Sequence, residues 1–131
     1  MKLIIAGSRG ATTYDLIIKA MKYFNLHGDD IDEVVSGTAK GADTLGEEWA
    51  ANNDIKVKQF PAEWSNLNAK PCSIRENQYG KYNAMAGLNR NKEMAVYADC
   101  LLAIWDGESR GTLNMIETME NMGKTVHVWE I

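Results

Sequence analysis

"CLLAIWDGESRGTLNM", Cys100 to Met115, decides the fold. Its opening, "CLLAIW" (100–105), is an unbroken apolar run, long enough for a strand buried on both faces and too short for a helix. "DGESRGT" (106–112) then interrupts it with glycines, hydroxyls and an arginine, and residues 111–122 take up helical spacing. Strand, turn, helix in that order is the repeating half of a parallel α/β domain.

The same sentence is written earlier in the chain. "KLIIAG" (2–7) is a short apolar run closed by glycine, and from Thr13 the period changes, with Leu16, Ile17, Ala20, Met21 and Phe24 on one helical face. "NLHGDD" (25–30) ends that helix with turn formers. "DEVVSG" (32–37) is a second strand and 42–53 a second helix, where "TLGE" (44–47) has the spacing of a capping box. "KVKQF" (56–60) is a third strand, stopped by Pro61, and a polar stretch of about 62–80 with little periodicity follows. Residues 81–98 read as helix, 100–105 as the fourth strand, and "TVHVW" (125–129) as the fifth. The expectation is one Rossmann-like α/β domain over 1–131: a parallel five-stranded sheet with helices on both faces and a loop insertion near 62–80.

Composition narrows the class. A chain of 131 residues suits one domain that folds without staples. Its formal net charge of −4 advertises no nucleic-acid face, so nucleic acid is not the expected partner. An anion would have to be held by donors concentrated locally. Cys72 and Cys100 follow no metal spacing, the two histidines lie far apart, and Cys100 reads as a small buried hydrophobe. We expect no metal and no required cofactor. "MKLIIAG" is too short an apolar run for a signal peptide or membrane span, which points to a cytoplasmic protein with no membrane partner.

Ligands of such sheets lie beyond the carboxyl ends of the strands, where strand order reverses. Three donor-rich loops have that position: "GSRG" (7–10), "SGTAKGAD" (36–43) and "DGESRGT" (106–112). If the first strand is central and the fourth is its neighbour, all three border one crevice. A helix's first turn has unpaired N–H groups and the positive end of its dipole, and glycine lets an anion approach them. The candidate ligand-binding residues are Gly7, Ser8, Arg9 and Gly10 in the first loop. The second loop adds Gly37, Thr38, Gly41, Ala42 and Asp43. The third adds Asp106, Gly107, Ser109, Arg110, Gly111 and Thr112. Arg90 and Asn91, on the helix before the fourth strand, join them. Each has a plainer reading: glycines as tight turns, hydroxyls as caps, Arg9 and Arg110 as solvated surface. Asp43 is either a cap or a sugar ligand, and Trp105 either core or a stacking platform. The G-x-G-x-x-G, G-x-x-x-x-G-K-[ST] and G-x-S-x-G patterns are absent, which removes support for a standard dinucleotide dehydrogenase, a P-loop nucleotidase and a serine hydrolase.

In order and spacing, "IIAGSRG" (4–10), "SGTAKGADTLGEEWA" (36–50), "FPAEW" (60–64), "AGLNRNKEMA" (86–95), "ADCLLAIWDGESRGTLNMI" (98–116) and "GKTVHVW" (123–129) resemble the SLOG superfamily of Smf/DprA and LOG proteins. They most resemble its small YspA-like branch of bacteria and phages. The resemblance implies a Rossmann-like fold that binds a nucleotide or a ligand derived from NAD or ADP-ribose, as a sensor or sponge. LOG relatives are phosphoribohydrolases with an R-K-x-x-M helix and a P-G-G-x-G-T-x-x-E loop. Arg90 and Met94 match the first, with Asn91 in place of its lysine; Gly111 and Thr112 match the G-T of the second. Asp106, Gly107 and Ser109 do not reproduce P-G-G, and Met115 stands at the catalytic glutamate. Methionine neither stabilises an oxocarbenium-like cation nor activates water. The alternative is a nucleotide N-glycosidic hydrolase in which Arg90 is catalytic beside a non-standard carboxylate: Asp43, Asp106 or Glu117. The middle stretch, with Arg75, Tyr79 and Tyr82, reads as a lid over a base or as a surface contact. Leu113, Met115, Ile116, Met119 and Met122 make the last helix broadly apolar, which suggests a homodimer or a helix buried on two sides within the monomer.

Overall fold

Successive side chains of a strand point to opposite faces, so a run such as "LIIA" must be covered on both. In a computed structural model, which describes residues 1–11 and 13–131, this is what happens. Strand β1 (Lys2–Gly7) sends Leu3 and Ile5 into one core and Ile4 and Ala6 into another. The first core is closed by helices α1 (Tyr14–Tyr23) and α2 (Ala42–Asn52), through Ile17, Ala20, Met21, Trp49 and Ala50. The second is closed by α3 (Ala86–Tyr97) and α4 (Arg110–Asn121), through Met94, Ala95, Met115, Ile116 and Met119. Each such side chain contributes on the order of 1.5–3 kcal/mol when fully buried.

The remaining sheet strands are β2 (Glu33–Ser36), β3 (Lys56–Gln59), β6 (Cys100–Trp105) and β7 (Thr125–Glu130). The order is β3-β2-β1-β6-β7, and every pairing is parallel. The chain therefore winds outward from β1 to β3, crosses back, and continues on the other side through β6. The fourth and fifth strands of the sequence reading are β6 and β7. Edge strand β3 carries the exposed Lys56 and Lys58, which discourage pairing with another chain.

Three local expectations are corrected. Residues 81–98 do not form one helix: β4 (Ile74–Asn77) and β5 (Gly80–Asn83) make an antiparallel hairpin, and α3 begins only at Ala86. The side chain of Asn77 accepts from the N–H of Tyr79 to turn the hairpin. Fully buried Asn83 then ends β5, because its Oδ1 accepts from the N–H groups of Ser73 and Met85. The stretch 62–80 is accordingly not all loop. The "TLGE" capping box is not made either. Gly41 caps α2, Thr44 Oγ1 donates to the Ala39 carbonyl, and Glu47 accepts from Ser36 Oγ at 2.7 Å and Gln59 Nε2 at 2.8 Å. Met115 and Met119 lie in the core of the same chain, leaving Leu113 and Met122 as the exposed apolar groups of α4. Most of that helix's apolar breadth is thus covered within one chain.

Helix α2 lies close on β1 because Gly46 faces Ile5. A methyl added at Gly46 would sit 2.7 Å from Ile5 Cβ and 2.8 Å from its Cγ2. Neither atom can swing aside, since β-branched Ile5 is fully buried at the sheet centre. Gly46→Ala is expected to lower the unfolding free energy by about 1–3 kcal/mol through overpacking, against a helix-propensity gain of at most about 1 kcal/mol. A urea midpoint at or above the wild-type value refutes this packing account.

Candidate functional site

The sheet changes direction between β1 and β6, and their carboxyl ends are drawn together by a missing side chain. Gly7 pairs with Ile104, and a Cβ on Gly7 would overlap the Ile104 carbonyl oxygen. The next residue locks the two loops. Ser8 N–H donates to Ile104 O at 2.8 Å, and Ser8 Oγ accepts from Asp106 N–H at 3.0 Å. The second loop is pressed onto the first at Gly41, whose φ of +88° suits glycine and where a methyl would lie 2.5 Å from Ser8 O.

Helix α4 begins at this junction. Asp106 Oδ1 accepts from the N–H groups of Glu108 and Ser109 at 2.9 and 2.8 Å, which holds its carboxyl below the usual carboxylate range. Ser109 caps the helix, its Oγ lying 3.1 Å from Thr112 Oγ1. The amides of Arg110 and Gly111, in the first turn, have no intrahelical acceptor.

Helix α3 supplies the opposite wall through two consecutive residues. Asn91 Nδ2 donates to Gly111 O at 3.2 Å and to Asn114 Oδ1 at 3.1 Å, while its Oδ1 accepts from Arg90 Nε at 3.1 Å. Arg90 Nη1 donates to the carbonyl of Gly37 in the second loop. Arg90 and Asp43 both crowd Gly37: a methyl there would sit 2.7 Å from Arg90 Nη1 and 2.9 Å from Asp43 Oδ2. Asp43 is only 5% exposed, and burial pushes its carboxyl up to about 6. The Ala39 N–H, the Arg90 charge and the amides of Gly37 and Gly7 oppose that rise. Burial also lowers the Arg90 guanidinium, and the Asp43 charge partly restores it.

Between these walls lies a cleft of about 250 Å³. Of the residues singled out in the sequence, Gly7, Arg9, Asp43, Arg90, Asn91, Ser109, Gly111 and Thr112 line it. Gly37 and Thr38 line an adjoining groove of about 510 Å³ together with Arg9, Lys40 and Arg90. Ser8, Gly10, Gly41, Ala42, Asp106, Gly107 and Arg110 line neither. Ser8, Gly41 and Asp106 hold the walls from behind, through the bonds and close approach just described. Ala6, Ala39, Lys40, Met94 and Met115 line the cleft without having been proposed. Lys40 had a signal, as a cation between two glycines of a strand-end loop; Ala6 and Ala39 look like any core residue, and Met94 and Met115 were marked only by their places in the resembled motifs. Trp105 belongs to the wall, its Nε1 donating to Ser109 O at 3.1 Å. The hairpin residues Arg75, Tyr79 and Tyr82 do not line the cleft, and the aromatic beside the second loop is instead Trp64. Among the described residues, no three His, Cys, Asp or Glu side chains group as a metal site would need, and no helix is long and apolar enough to cross a membrane.

A protein-family model described as the YspA, cpYpsA-related SLOG family matches residues 1–66. No curated protein matches the chain. Two solved structures share its fold. DNA processing protein A from Streptococcus pneumoniae superposes with a TM-score of 0.68 at 19% identity, over 97% of this chain and 49% of that one. DNA processing protein A from Helicobacter pylori, described by its single-stranded DNA binding mode, gives 0.66 at 18% identity, over 98% and 64%. The chain thus spans about half of the first protein and under two thirds of the second.

The raised Asp43 carboxyl has a definite sign in stability. Between about pH 4 and pH 6 the unfolded chain releases this proton while the folded chain keeps it, so stability falls as pH rises through that window. Above it the charged, buried group costs about 3 kcal/mol. Asp43→Asn keeps an acceptor for Ala39 and removes the charge. Denaturation at pH 7.5 is expected to find the variant about 1–3 kcal/mol more stable, with the gain gone below pH 4. Equal gains at both pH values contradict the assignment.

Proposed function

The chain belongs to the YspA, cpYpsA-related SLOG family, and on that footing we propose that it binds a nucleotide or an NAD- or ADP-ribose-derived ligand at the carboxyl ends of its parallel strands, as a sensor or sponge. One observation carries the reading: a chain of net charge −4 gathers Arg9, Lys40 and Arg90 on one cleft, opposite the open first turn of α4. Phosphate sits against Gly111 and Thr112, where backbone N–H groups, the helix dipole and the Thr112 hydroxyl converge. Arg90 is braced by Asn91 Oδ1 and the Gly37 carbonyl, which leaves Nη2 for a ligand oxygen. Asn91 acts chiefly by holding Arg90 and α4 in position. Asp43, whose carboxyl at about 6 is mostly ionised at physiological pH, suits accepting from a ribose hydroxyl.

A second reading is favoured by that same carboxyl. A buried acid with a pKa of about 6 is tuned for proton transfer near neutrality. Asp43 lines the cleft, whereas Asp106 is turned into its own loop and Glu117 is exposed. If the protein is a nucleotide N-glycosidic hydrolase, Asp43 is its acid and Arg90 holds the phosphate. The single-stranded DNA binding named for the Helicobacter pylori neighbour makes an oligonucleotide the competing ligand.

Calorimetry with AMP, NAD and ADP-ribose is expected to find at least one that binds the wild type and loses about ten- to a hundredfold in affinity on Arg90→Ala, the range for a hydrogen bond to a charged group. Affinity unchanged by Arg90→Ala removes the cleft as the binding site. Incubation of the same nucleotides should release no free base. Base release abolished by Asp43→Asn replaces the binding role with the hydrolytic one.

A further inference from the structure

The cleft is too small for the ligand class it attracts. Pockets that hold small organic ligands usually measure roughly 300–1,000 Å³, and this one, at about 250 Å³, has room for a phosphate and part of a sugar. It adjoins the groove of about 510 Å³, and Arg9, Lys40 and Arg90 line both compartments. The far wall of the groove is Trp64, 49% exposed. Its backbone is anchored. The Trp64 carbonyl accepts from the N–H of Asn83, the buried knot of the hairpin, at 2.6 Å. Its ring edge packs on α3 at Gly87, 3.4 Å from where a methyl would stand. The groove carries three cations and no carboxylate among its lining residues.

We propose, resting on the nucleotide reading above, that Trp64 is the stacking platform for the base, so that the ligand is a nucleoside phosphate spanning two compartments. Phosphate occupies the inner cleft against α4, the sugar passes Arg90 and Asp43, and the base lies on the indole in the outer groove. Stacking accepts any flat π-face, so Trp64 selects for the presence of a base more than for its identity. Thr38 and Lys40, which line the same groove, are the groups that would discriminate between bases.

Two probes separate this proposal from the reading beneath it: AMP, which has a base, and ribose 5-phosphate, which has none. Calorimetry is run on wild type, Trp64→Ala, Trp64→Phe and Arg90→Ala, with AMP titration also followed by tryptophan emission. Trp64→Ala is expected to weaken AMP about tenfold and leave ribose 5-phosphate unchanged. Trp64→Phe should restore most of the AMP affinity while losing the AMP-induced emission change. Arg90→Ala weakens both probes. An AMP affinity unaffected by Trp64→Ala, with Arg90→Ala still damaging, overturns the stacking role alone. Failure of wild type to bind AMP overturns the nucleoside-phosphate proposal, and only failure of NAD and ADP-ribose as well overturns the reading beneath it. Tighter binding of a ten-nucleotide thymidine strand than of AMP, lost on Trp64→Ala, assigns the groove to single-stranded DNA and overturns the nucleoside phosphate.

Discussion

The structure depends on the contact between Gly7 and Ile104, where two parallel strands approach at the one place their order reverses. The carbonyl of Ile104 occupies the space a side chain at residue 7 would need. With that space open, Ser8 can reach both Ile104 and Asp106, and the first and third loops become a single wall. Any bulk at Gly7 would separate β1 from β6 and divide the cleft at its floor. The functional geometry thus rests on an absence of atoms, a requirement no other residue type meets.

The opposite wall is made of polar groups that satisfy one another. Arg90 and Asn91 are adjacent in the chain and leave α3 in different directions, one to the second loop and one to α4. Their bonds tie the second loop and the first turn of α4 to one helix. Rigidity has a cost in stability, since Asp43 is withdrawn from water near a cation with which it shares no direct bond. A ligand that hydrogen-bonds this carboxyl, and draws its phosphate charge from Arg90, relieves part of that cost.

Much of the fold was legible because periodicity reports burial directly. "KLIIAG" and "CLLAIW" can only be strands covered on both sides, and the 3.6-residue spacing of Ile17, Ala20 and Met21 names the face α1 buries. The hairpin escaped notice because its strands, "IREN" and "GKYN", are exposed on most positions and so carry no alternation. Its fold is specified by Asn77 and Asn83, whose side chains bond to backbone, and that signal lies in two residues rather than a pattern. "TLGE" misled for a related reason. Glu47 has the spacing of a capping partner, yet Ser36 and Gln59 on neighbouring strands offer it better bonds than its own helix.

The amino-acid order alone determined the class of fold, the positions of the parallel strands, and the three glycine-bearing turns after β1, β2 and β6, because burial and backbone freedom are local properties that leave a periodic or compositional trace. It also marked Arg90 and the Gly111–Thr112 turn, which line the cleft. Only the tertiary structure decided which members of those turns face the cleft and which hold it from behind: Ser8 and Asp106 turn inward to each other, while Lys40 and Met115 reach the open space. Trp64 belongs to the same class, since its place in the groove beside Arg90 is set by a hairpin anchored through Asn83. Side-chain direction at a strand end depends on contacts between residues far apart in the chain, and a one-dimensional pattern has no term for those.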